Sequence, residues 1–138
     1  MRSALLAALF LTTTTGIALA GEAADKAKAH FEAIAAGDVS KITANYADNA
    51  VFQWVGGPLD GVYASPAAIK EVWTKFANAQ GKLALDVKSI EEAVNPKGAT
   101  VTANVVFKGK TPIPLRYVLL YRDGKLANEV WQINPPKQ

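Results

Sequence analysis

The spacing of apolar side chains along this chain shifts from a helical period to a two-residue period, and those shifts mark its elements. From Ala23 to Ala36, the positions Ala23, Ala27, His30, Phe31 and Ile34 fall at helical spacing, and Gly37 is a natural stop. Asp38 is placed to cap a second short helix carrying Val39, Ile42, Thr43 and Tyr46 on one face, which Ala47-Asp48-Asn49 breaks. Ala50 to Trp54 reads as a strand and Gly56-Gly57-Pro58 as a turn. Ser65-Pro66 then starts a third helix, a hydroxyl cap followed by proline at the first helical position. Ile69, Val72, Trp73 and Phe76 form its apolar stripe, and Gly81 ends it.

The second half alternates instead. Leu83, Leu85 and Val87 have the period of a half-buried strand, and Asn95-Pro96-Lys97-Gly98 turns the chain. Val101, Ala103, Val105 and Phe107 alternate again before a turn at Gly109 to Pro112. Leu115 to Arg122 and Lys125 to Ile133 are joined by Asp123-Gly124, a strong hairpin signal, and Pro135-Pro136 stops further pairing. Helices early and an antiparallel meander late predict an α+β domain, not a doubly wound nucleotide fold. Gly56-Gly57 lacks the spacing and lysine of a phosphate loop.

The N-terminus follows other rules. Arg2, an apolar run from Ala4 to Leu11, and Ala18-Leu19-Ala20-Gly21 are the parts of a secretory signal peptide. The run is shorter than the roughly 20 residues of a membrane-spanning helix. The expected organisation is a leader at residues 1–20 and one domain at 21–138, located in the periplasm or secreted. The chain has no cysteine, which removes disulfides and thiol chemistry. Fifteen basic against 12 acidic residues, spread along the chain, make no basic stripe for nucleic acid.

The order of elements and several local strings resemble a known family. Ala36-Gly37-Asp38, Tyr46-Ala47-Asp48-Asn49-Ala50, the Gly61 turn before the Ser65 helix, and Arg122-Asp123-Gly124-Lys125-Leu126 are similar to the nuclear-transport-factor-2-like superfamily. Its SnoaL-like and ketosteroid-isomerase-like branches are the nearest, over about residues 23–134. The resemblance implies a cone: three N-terminal helices packed on a curved, mostly antiparallel sheet around an apolar pocket. It also implies a homodimer. In ketosteroid isomerases the carboxylate base lies eight residues after the tyrosine of the Tyr-Ala-Asp string, where this chain has Trp54. The base of that mechanism is therefore missing. By the same resemblance, His30 stands at the oxyanion-binding tyrosine, Tyr117 at the protonated aspartate and Trp73 at a pocket aromatic.

Three side chains are candidates for chemistry. His30, the only histidine, is either a half-buried helix residue that bonds backbone or water, or a pocket acid, base or oxyanion donor. Glu129 shares a strand face with Trp131 and Ile133. It is either a desolvated pocket carboxylate, or one turned outward by local twist or a bulge or satisfied by a salt bridge. Tyr117, on a face with Leu115, Leu119 and Tyr121, is either an oxyanion donor or a core tyrosine. Trp54, Trp73 and Trp131, with Phe52 and Leu119, either cage a flat ligand or fill the cone. One histidine without cysteine makes no typical zinc site, and Asp48, Asp60 and Asp123 lack calcium-loop spacing. Ser65 and Ser89 lack a nucleophile-elbow setting. The expectation is an exported pocket protein for a small, largely apolar metabolite, with no cofactor, metal, nucleic-acid partner or membrane attachment after cleavage. The alternatives are a cofactor-free lyase or isomerase using His30, with Glu129 and Tyr117, and a non-catalytic dimerisation module.

Overall fold

A computed structural model describes residues 21–135. The expected leader at residues 1–20, and Pro136 of the terminal proline pair, lie outside the described residues. Helices α1 (Glu22–Ala36) and α2 (Val39–Thr43) come first, then β1 (Tyr46–Val55), β2 (Gly61–Tyr63) and α3 (Pro66–Gln80). The meander β3 (Ala84–Asn95), β4 (Gly98–Lys108), β5 (Pro112–Arg122) and β6 (Lys125–Ile133) completes the chain. The six strands form one sheet in the order β2-β1-β6-β5-β4-β3. Every pairing is antiparallel except β1 with β6, which is parallel.

Two helices, not three, precede the sheet. α3 is inserted between β2 and β3, because β1 must reach the far side of the meander and pair with its last strand. Tyr46 also departs from expectation, opening β1 instead of closing α2. The short helix ends at Thr43, whose hydroxyl bonds back to the Val39 carbonyl at 2.9 Å. The Leu126 amide then takes the Asn45 carbonyl at 2.8 Å, and this bond captures the following chain for the sheet. β3 runs on past Val87 to Asn95, through a bulge between Val87 and Ser89 that breaks the simple alternation.

The capping chemistry works as its residue types require. Ser65 Oγ accepts from the Ala68 amide at 3.1 Å ahead of Pro66, and Gly37 caps α1 through the Ala33 and Ile34 carbonyls. Asp123 and Gly124 both take positive φ (51° and 72°), the left-handed pair that a two-residue hairpin demands.

The apolar stripes of α1 and α3 cover the concave face of the sheet. Ala27, Phe31 and Ile34 of α1, and Ile69, Val72, Trp73 and Phe76 of α3, are all buried. They meet alternate residues of β4 and β5, such as Val101, Val105, Phe107, Leu115 and Leu119. Aromatic rings dominate the centre. Phe52 stacks on Trp73 (centroids 5.0 Å, 10°) and Phe107 on Trp131 (5.4 Å, 10°), while Trp54 and Trp131 lie 4.5 Å apart.

Candidate functional site

Strand β6 sets the site. A register shift opposite Leu120 and Tyr121 places the irregularity before Glu129, so Leu126, Glu129 and Trp131 all point into the cone. Glu129 is completely buried, opposite Leu119 of β5 and Phe52 of β1. A carboxylate removed from water costs several kcal/mol, by order of magnitude, unless donors surround it. Here they do. His30 Nε2, from α1, donates to Glu129 Oε1 at 3.0 Å. The Tyr117 hydroxyl, from β5, donates to the same oxygen, and the Tyr46 hydroxyl, from the start of β1, donates to Oε2. Tyr46 in turn accepts the Trp73 indole N–H at 2.9 Å.

The electrostatics fix the direction of these bonds. Burial, then the charge of Glu129, pushes the Tyr117 and Tyr46 hydroxyls well above the usual phenol range, so both remain donors. Tyr121 is raised too, by burial first and then by Glu129. With His30 Nε2 turned to Glu129, His30 Nδ1 is left buried without a partner. Oε1 of Glu129 thus holds two bonds and Oε2 one. Tyr46 is the member of this cluster that lines the polar hollow described below, whereas His30, Tyr117 and Glu129 line neither that hollow nor the apolar groove.

The open space lies elsewhere. A groove of about 800 Å³ is lined by Trp54, Leu59, Phe76, Ile113, Trp131 and Ile133 among others, a mostly apolar surface of ligand-site size. Trp54 and Trp131 are almost fully buried and form its inner wall, and both indole N–H groups lack a partner. A second hollow of about 700 Å³ is polar, with Asp48, Asn49, Arg122, Asp123 and Lys125 beside Tyr46.

The structure therefore divides the sequence-derived candidates. It brings His30, Tyr117 and Glu129 into one hydrogen-bonded cluster, with Trp73 attached through Tyr46. It places Trp54 and Trp131 at the groove and leaves Phe52 and Leu119 in the core. Sequence reasoning missed Tyr46 as a cluster member, although the Tyr-Ala-Asp string marks it. It also missed Leu59, in the turn between β1 and β2, and Ile113, which extends the inward face of Leu115 and Tyr117 to the start of β5.

An unclosed, curved sheet with helices across its concave face defines the cystatin-like, nuclear-transport-factor-2-like class. The SnoaL-like domain family matches residues 27–128, and the chain belongs to it. Solved structures agree on the fold. An NTF2-like protein from Pseudomonas putida superposes with a TM-score of 0.70 at 16% identity, covering 81% of this chain and 84% of that one. A protein with a cystatin-like fold from Nostoc punctiforme gives 0.70 at 13% identity, covering 83% and 90%. A ketosteroid isomerase-like protein from Erwinia carotovora atroseptica gives 0.64 at 19% identity, covering 82% and 94%. At such identities the likeness concerns the fold alone. No curated protein matches this sequence at a significant level.

Proposed function

We propose that this protein is an exported binder of a small, flat, largely apolar molecule, held in the groove against Trp54 and Trp131. The observation that carries the proposal is that groove: about 800 Å³, apolar, open to solvent and walled by two tryptophans. Such a surface gains affinity mainly by removing apolar area from water and by stacking. The acid/base cluster meets open space only at Tyr46, in the polar hollow of about 700 Å³, and His30, Tyr117 and Glu129 line neither that hollow nor the groove.

Native mass spectrometry of the exported protein tests the reading, together with a titration using anilinonaphthalene sulfonate as a flat apolar probe. A retained small molecule, or probe binding that Ile113→Lys weakens at least tenfold, is the expected result. Probe binding unchanged by Ile113→Lys would remove the groove as the site. A ligand-free protein that ignores the probe would favour the packed cone as a structural module, for which the completely buried Trp73 and Trp131 already provide the filling.

A further inference from the structure

The first turn of α1 is capped by a residue from the far side of the sequence. Gly21 lies at φ 113° and has no side chain with which to cap the helix it precedes. Glu92, half-buried on β3, does so instead. One carboxylate oxygen accepts the Gly21 backbone N–H, and the other accepts the Ala24 N–H at 2.9 Å. Asp25 N–H closes the turn on the Gly21 carbonyl at 2.7 Å. The nitrogen of Gly21 is also the atom that cleavage of an Ala18-Leu19-Ala20 leader would expose.

We propose that Glu92 is the receptor for the amino terminus created when the leader is removed after Ala20. The proposal rests on the export reading above. Hydrolysis of the Ala20–Gly21 bond by a leader peptidase consumes one water, leaving the Ala20 carboxylate on the departing leader and an amine on Gly21. That amine takes up a proton at neutral pH, so the neutral N–H···Glu92 bond becomes an ammonium–carboxylate pair at the same place. A bare positive charge at a helix N-terminus opposes the helix dipole, and a carboxylate within the first turn offsets it. Maturation would thereby fasten to β3 the helix that carries His30, and so hold the histidine against Glu129.

Intact-mass measurement of the exported protein is the first arm. A mass beginning at Gly21 is expected; any other amino terminus overturns the cleavage site itself. The second arm compares Glu92→Gln in two exported backgrounds: the natural chain, and a chain with one serine inserted between Ala20 and Gly21. The insertion keeps a backbone N–H at Gly21 but moves the ammonium one residue outward. Glu92→Gln should lower the melting temperature by about 3 °C in the natural protein and by about 1 °C or less with the insertion. Equal losses in both backgrounds, with the mass as expected, would reduce Glu92 to an ordinary helix cap and overturn the ion pair while leaving the leader reading intact.

Discussion

Glu129 and Trp131 are neighbouring inward positions on one strand, yet they belong to opposite regimes. Glu129 has donors at both oxygens and is fully buried; Trp131 has an indole N–H without a partner and lines an open groove. The boundary between them is an aromatic layer: Trp73 and Trp131 meet edge to face at 5.5 Å, and Tyr117 and Trp131 at 5.6 Å. The difference teaches that the most chemically suggestive residues of a pocket fold need not face its pocket. A carboxylate, an imidazole and two phenols can serve as a satisfied polar core, rigid because each bond is costly to lose. The groove needs no such chemistry to hold an apolar ligand.

Removing Glu129 should break this contrast most severely. Glu129→Ala leaves the buried His30 and Tyr117 and the half-buried Tyr46 without their acceptor and should cost about 3–5 kcal/mol in denaturant unfolding. Next comes Tyr117→Phe, which removes one donor from a buried carboxylate and should cost about 1–3 kcal/mol, with affinity for the apolar probe preserved. A large loss of probe affinity in this variant would join the two regions that the structure separates.

Alkaline titration sharpens the comparison further. The Tyr46, Tyr117 and Tyr121 hydroxyls are raised in the folded state, so their contribution to stability is fully present below the unfolded phenol value near pH 10. Stability should therefore fall as pH rises beyond about 10, and phenolate absorbance should appear together with unfolding. Smooth ionisation of these three tyrosines in the folded protein would contradict the burial and the Glu129 charge that hold them protonated. The smallest effect on stability belongs to the groove. Ile113→Lys should change unfolding free energy by only about 0.5–1 kcal/mol, because the side chain is half-buried at a rim, while probe affinity collapses.

Much of the fold was legible in the sequence because local rules agreed with the tertiary outcome. The stripe of α3, its Ser65-Pro66 start and the Asp123-Gly124 hairpin needed no distant information. Tyr46 did not yield to that reasoning. Its spacing fits α2, but pairing with β6, 80 residues downstream of it, takes it into the sheet. The irregularity between Tyr46 and Val51 in that parallel pairing has no local sequence signature. The candidate site was legible in composition more than in arrangement. Period 2 gave the inward direction of Glu129, whereas the convergence of His30, Tyr46 and Tyr117 on it depends on contacts between residues up to 99 positions apart. The resemblance set Trp54 at the position of an isomerase base, and the structure places it in the groove wall.

The central claim is that the ligand surface is the groove and not the Glu129 cluster. Indole N–H resonances report it directly, because the chain has three tryptophans and each occupies a different place in the comparison. Titration with anilinonaphthalene sulfonate should shift the signals of Trp54 and Trp131 most. The Trp73 signal, hydrogen-bonded to Tyr46 behind the aromatic layer, should move least. A response centred on Trp73, with Trp54 and Trp131 unmoved, would place the ligand at the carboxylate and contradict the account.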